Sequence, residues 1–206
     1  MDGVLVDSAA YHFAAWRDAL TPDGVEFTHD LFRATFGQRN DTVLRRLFGE
    51  HLTDAEIMRI SNLKESLYRR RLIDDGIDAL PGVRSWLQTL HDAGWRQAVA
   101  SAAPRANVIA VVDALDIGRF FGALTSAEDV SRGKPDPQVF LTAAARLDIP
   151  ATRAIVIEDA PAGLEGARRA GMKCVGVLTG HAELHADLVV HRLTDLAADA
   201  LDQLLA

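Results

Sequence analysis

From about residue 80 onward, apolar positions alternate between short runs with little helical spacing and longer stretches that repeat every three or four residues. The runs Arg96-Gln97-Ala98-Val99-Ala100, Gly122-Ala123-Leu124-Thr125, Ala154-Ile155-Val156-Ile157, Lys173-Cys174-Val175-Gly176-Val177-Leu178 and Asp187-Leu188-Val189-Val190 read as buried strands. Helical patterns fall near 83–93, 105–116, 137–147, 161–170 and 194–205. Such alternation predicts a parallel sheet. Pro104, Pro137 and Pro161 stand where helices should start, and Gly94 and Gly171 stand where a left-handed cap should end them.

The stretch 9–75 differs, with helical periodicity and almost no strand-like run. Thr53-Asp54-Ala55-Glu56 has the form of a capping box, and Ile57, Ile60, Leu63 and Leu67 then share one face of a helix running to about Ile73. Arg69-Arg70-Arg71 reads as a solvated face that complements the helix dipole. Asp74-Asp75-Gly76 with Leu80-Pro81-Gly82 is the best linker. The expected organisation is a core of residues 1–8 and 76–206 with a helical insert of 9–75.

Of 206 residues, 49% are apolar and 25% charged, the profile of a soluble globular protein of one domain, or of a core with a small insert. Acidic residues outnumber basic ones by 29 to 22, a poor basis for binding a phosphate backbone, so nucleic acid is not expected as a partner. Apolar runs such as Val108 to Val112 are far short of a membrane span, so no membrane is expected either. The acidic Met1-Asp2-Gly3-Val4 start lacks the basic region of an export signal, and the lone Cys174 reads as a buried thiol; both suit the cytoplasm. His181-Ala182-Glu183-Leu184-His185 lacks the order of a metalloprotease motif, and Trp16, Trp86 and Trp95 read as packing residues.

Parallel strands deliver functional groups at their carboxyl ends. Four segments stand out there: Asp2-Gly3-Val4-Leu5-Val6-Asp7-Ser8; Ser101 with Ala102-Ala103; Gly133-Lys134-Pro135-Asp136-Pro137; and Glu158-Asp159-Ala160-Pro161-Ala162-Gly163. Singly, each has a plain structural reading: Ser101 as a helix cap, Lys134 as a surface lysine, Glu158-Asp159 as charges at a helix start. Jointly they are an inventory for handling a phosphoryl group, with carboxylates Asp2, Glu158 and Asp159 for Mg²⁺, and Ser101 and Lys134 for phosphate oxygens.

This combination resembles the haloacid dehalogenase superfamily, in the subgroup containing β-phosphoglucomutase and small sugar-phosphate phosphatases. Asp2-Gly3-Val4 matches the family's first motif from its second aspartate onward, and Ser101, Lys134 and Glu158-Asp159 match the other three. The resemblance implies an α/β, Rossmann-like three-layer core with a mainly parallel sheet flanked by helices, plus a small α-helical cap domain. It implies an aspartyl-phosphate intermediate. Asp2 would act as general acid and base and lend its carbonyl to Mg²⁺, Asp159 supported by Glu158 would hold the metal, and Ser101, the Ala102 N–H and Lys134 would grip phosphate. In the cap, Gly37-Gln38-Arg39-Asn40 is placed like the family's specificity loop, with Arg39 toward a distal substrate group. Tyr11-His12-Phe13-Ala14-Ala15-Trp16 resembles the segment near the cap hinge, where His12 would orient the acid/base group or simply pack.

In the family pattern the nucleophile lies two positions before the acid/base aspartate, whereas here Met1 directly precedes Asp2. The strand that carries it is absent too. An upstream start is the favoured expectation and a pseudoenzyme the competing one; either way the chain as written should be inactive or nearly so. The expected function is that of a monomeric, Mg²⁺-dependent phosphatase of a small phosphorylated metabolite, with β-phosphoglucomutase or a metabolite-binding pseudoenzyme as alternatives. Halide displacement suits Lys134 and the carboxylate pair less well.

Overall fold

A computed structural model describes residues 1–36 and 38–206. The chain divides into two units, one formed by Met1–Asp7 with Asp78–Ala206, the other by Ser8–Ile77. No described helix is long and apolar enough to cross a membrane.

In the first unit the apolar runs form five strands: β1 (Gln97–Ala100), β2 (Phe121–Thr125), β3 (Ile155–Glu158), β4 (Lys173–Val177) and β5 (Leu188–Val190). All pair in parallel, in two ladders of order β1-β2 and β3-β4-β5. Val99 faces Leu124 in one ladder and Val156 faces Cys174 in the other. Helices α5 (Val83–Asp92), α6 (Arg105–Ala114), α7 (Gln138–Arg146) and α8 (Pro161–Arg169) cover the strands, as the alternation predicts. A buried cluster of Val139, Phe140, Leu164, Ala167, Met172 and Cys174 joins α7 and α8 to β4. Because the strands are parallel, Ser101 and the Glu158-Asp159 pair both come out at carboxyl ends.

The helix expected over 194–205 is corrected. A 3₁₀ turn at Leu193–Asp195 is followed by extended backbone at Leu196, and the helix α9 spans only Ala200–Leu205. Asp195 accepts a bond from the Arg192 N–H at 3.0 Å and so closes the turn on itself. The break lets Leu193, Leu196 and Leu201 all face inward.

The second unit holds α1 (Ala9–Leu20), α2 (His29–Thr35), α3 (Asn40–Phe48) and α4 (Asp54–Asp74). Trp16, Phe27, Phe32, Leu44 and Ile60 form its apolar centre. The capping box at the start of α4 is present in both directions, Thr53 Oγ1 accepting from the Glu56 N–H and the Glu56 carboxylate from the Thr53 N–H. The buried face of α4 differs from the expected one. Ile57 and Ile60 are buried, but beyond them Lys64, Glu65, Tyr68 and Leu72 turn inward while Leu63 and Leu67 are only half-buried. The stripe rotates because Lys64 finds a carboxylate and two aromatic rings inside the unit, described below.

Replacing the cap, Thr53→Ala, is expected to destabilise this unit by about 1 kcal/mol, because an N–H of the first turn of α4 loses its acceptor. Urea titration followed by far-UV circular dichroism checks it.

Candidate active site

The site is built on the end of β3. Glu158 is the last residue of the strand and is buried; Asp159 follows it and is half-buried. Lys134 Nζ donates to Glu158 Oε2 at 2.8 Å, and its ammonium lies 5.0 Å from the centre of the Phe140 ring. The loop that carries Lys134 is thereby drawn onto β3 from a segment remote in sequence.

Two glycines make room. A Cβ on Gly163, in the first turn of α8, would lie 2.2 Å from the Glu158 carboxyl carbon. Gly3 has φ +69°, and a Cβ there would lie 1.9 Å from Asp159 Oδ2, so the opening turn of the chain rests its bare backbone on that carboxylate. Thr179 Oγ1, just beyond β4, donates to the Gly3 carbonyl at 2.6 Å and fixes this turn.

The charges follow from the packing. Burial pushes the Glu158 carboxyl up, but the Lys134 ammonium and the amino terminus of Met1 outweigh it and hold Glu158 below the usual carboxylate range. Burial raises Asp159 as well, and the adjacent Glu158 charge adds to it, bringing Asp159 to about 7 in spite of the amino terminus. Glu158 has its cation; Asp159, half-buried beside the Glu158 charge, holds its proton more tightly than a free carboxyl.

Ser101 directly follows β1 and is buried, its N–H donating to the Thr125 carbonyl at 2.9 Å and its Oγ accepting from the Ala103 N–H at 3.1 Å. Ala102 beside it is exposed. Asp2 is half-buried in the opening turn, bridged locally to Val6. Among the described residues no three His, Cys, Asp or Glu side chains converge as a metal cage. Glu158 and Asp159 are the carboxylates that consecutive positions bring together. One or two carboxylates, with backbone carbonyls and water, form the kind of donor set that Mg²⁺ accepts, and the uncompensated Asp159 fits it.

In the helical unit, His12 is stacked on Tyr68 with ring centres 4.1 Å apart, and its Nδ1 lies 3.1 Å from Lys64 Nζ. Lys64 also donates to Glu65 Oε1 at 2.8 Å and lies 5.4 Å from the Trp16 ring centre; Asn40 Nδ2 reaches the same Glu65 oxygen at 2.8 Å. Arg39 is exposed and paired with Asp41 at 3.3 Å. Gly37 lies outside the described residues. Sequence reasoning missed Lys64, Glu65 and Thr179, and named Asn40 only as part of a loop, not as a partner of Glu65. Lys64-Glu65, a charged pair interrupting the apolar spacing of α4, was the available signal; a lone threonine after a strand offers none.

A carboxylate pair at the end of one parallel strand, one of its members bonded to a lysine, and a buried serine just after another strand are features of the class of phosphoryl-handling α/β proteins. The chain matches haloacid dehalogenase-like hydrolases over residues 1–177 and is a member of that family. It is 33% identical over 211 aligned residues to the β-phosphoglucomutase of Bacillus subtilis, covering 98% of this chain and 92% of that one. It is 30% identical over 181 residues to the fructose-1-phosphate phosphatase YqaB of Escherichia coli, covering 86% and 93%. The crystal structure of β-phosphoglucomutase from Clostridium difficile superposes with a TM-score of 0.88 at 28% identity, covering 99% of this chain and 93% of that one. The core is thus the Rossmann-like core of this family, and the helical unit is its cap.

Because Asp159 is raised from 3.8 to about 7, the folded metal-free protein binds its proton more tightly than the unfolded chain between those values. Stability contributed by this group therefore falls as pH rises from about 4 to 7. Asp159→Asn is expected to raise Tm at pH 8 in the presence of a chelator, with the gain shrinking to nothing near pH 4. Calorimetry across that range checks it.

Proposed function

We propose that the protein is a Mg²⁺-dependent phosphatase of a small phosphorylated metabolite, a sugar phosphate by the company of its relatives. The observation that carries this reading is the convergence of Lys134 and Asp159 on the end of β3, one compensated carboxylate and one uncompensated, as a site for a divalent cation beside a phosphate. Ser101, the Ala102 N–H and Lys134 would bind phosphate oxygens; Asp159, Glu158 and the Asp2 carbonyl would hold Mg²⁺. When bound, the ion would neutralise charge on the transferring group. Asp2 would give a proton to the departing ester oxygen and later take one from the attacking water. By the family's spacing, the carboxylate that accepts the phosphoryl group would lie two positions before Asp2. In the cap, Arg39 and the Gly37 loop would read the substrate's distal end, His12 would orient the acid/base group near the hinge, and the protein would work in the cytoplasm as a monomer.

A mutase reading is favoured by one observation, the 33% identity to a β-phosphoglucomutase over nearly the whole chain. The two readings share the aspartyl-phosphate and differ in whether water or a sugar hydroxyl attacks it.

Titration calorimetry with inorganic phosphate and hexose phosphates tests the site. Mg²⁺ should tighten binding, Asp159→Asn should remove the Mg²⁺ effect, and Lys134→Ala or Ser101→Ala should each weaken binding about 10- to 100-fold. Absence of any Mg²⁺-linked phosphate binding overturns the reading. In a chain that carries this carboxylate, β-glucose 1-phosphate and a trace of the bisphosphate would yield glucose 6-phosphate only from a mutase.

A further inference from the structure

The loop Ser101–Ala103 is fastened at several points to one short segment. Ser101 donates its N–H to the Thr125 carbonyl at 2.9 Å, and the Ala103 carbonyl accepts from the Ala127 N–H at 3.0 Å. Ala102 stands exposed between these two fastenings. Pro104 precedes α6 and has no side-chain acceptor to cap it, so the first N–H of the helix, that of Arg105, goes to the Glu128 carboxylate at 2.9 and 3.0 Å. These three fastenings come from residues 125–128, the end of β2 and the turn that follows it.

That turn, a 3₁₀ helix over Ala127–Asp129, is closed by Asp129. One carboxylate oxygen, Oδ2, accepts from the Ser126 N–H and from the Ser126 hydroxyl, each at 2.8 Å. The other, Oδ1, accepts from Arg105 Nη2 and from Arg146 Nη2, each at 2.5 Å. Arg146 ends α7 and also donates to the Leu124 carbonyl at 2.7 Å. Asp129 thus joins β2, the start of α6 and the end of α7 through one enclosed carboxylate, 7% exposed. The Arg146 guanidinium and the Ser126 N–H hold it below the usual carboxylate range, so the joint is ionised at neutral pH. The same segment leads on to Lys134. Gln138 Oε1 accepts from the Ser131 and Arg132 N–H groups at 3.0 and 3.1 Å, just before the lysine that reaches Glu158.

We propose that Asp129 is a positioning residue for phosphate binding, one that touches no substrate but fixes the 126–129 turn and, through it, the Ser101–Ala103 loop and the approach of Lys134. Donors already held in place lose little freedom when an anion arrives, and this is what the joint supplies. The proposal rests on the phosphatase reading, which makes Ser101, the Ala102 N–H and Lys134 the phosphate grip.

Asp129→Asn in the full chain separates geometry from charge. It removes a negative charge and releases two guanidinium groups, so charge alone would tighten the binding of an anion. Lost position weakens it. Titration with inorganic phosphate and Mg²⁺ is expected to show binding weaker by about fivefold or more, with amide exchange at Ala127 faster by about tenfold. Leu201→Ala, which removes buried packing in α9, should lower Tm and leave phosphate affinity unchanged. Arg146→Lys keeps the charge but lacks the fork that bonds Leu124 and Asp129 together, and it should weaken phosphate binding in the same direction. Unchanged or tighter binding by a folded Asp129→Asn chain overturns the proposal, and unchanged binding by Arg146→Lys does so should Asp129→Asn fail to fold. Equal weakening by Leu201→Ala also overturns it, since the effect would then be one of general stability. If the unsubstituted chain binds no phosphate, the phosphatase reading falls and this proposal with it; if it binds and Asp129→Asn binds as well, this proposal alone falls.

Discussion

Carboxylates on consecutive residues cannot move far apart, and Glu158 and Asp159 are both drawn away from bulk water at the end of β3, so their repulsion has to be met inside the fold. Lys134 meets part of it at Glu158, the amino terminus contributes, and the remainder stays on Asp159 as a raised proton affinity. Much of the local structure serves this arrangement. The Lys134 loop is drawn in, Gly163 leaves space for one carboxylate, and Gly3 leaves space for the other. A site that holds uncompensated negative charge is in effect an unfinished ion pair, and a divalent cation is the partner that suits it.

The helical unit solves a similar problem by a different route. Lys64 is withdrawn from water yet surrounded by the Glu65 carboxylate, the His12 ring nitrogen and the faces of Trp16 and Tyr68. Because Asn40 shares the Glu65 oxygen, the start of α3 is tied to the middle of α4 through one polar cluster. Removing any single member would leave a neighbouring buried charge short of partners, which makes the cluster a source of geometric definition more than of net stability.

The alternation of runs and helical patterns carried the strands to within a residue or two, because strands covered on both faces must be apolar throughout and leave little ambiguity. Pro161 and the Thr53 capping box marked helix starts for the same local reason. Long-range choices were not legible. Nothing near Leu196 announces that burying Leu193 and Leu201 together requires a break in the helix, and the Lys64-Glu65 charges in α4 mark an interruption of the apolar spacing without saying that Lys64 is buried in preference to Leu63. The candidate site was visible as four separated segments, but the Lys134–Glu158 bond and the support of Gly3 by Thr179 depend on how distant loops meet.

The division of the strands into two ladders has a consequence for cooperativity. Backbone hydrogen bonds carry order from β1 to β2 and from β3 through β4 to β5, but no strand-to-strand bond crosses from β1 to β3. Between the halves, continuity rests on side chains such as Ala100, Phe140 and Val156, which share one packed cluster. Dispersion and burial are less directional than a ladder, so order passes between these strands through packing in one shared cluster and not through backbone pairing.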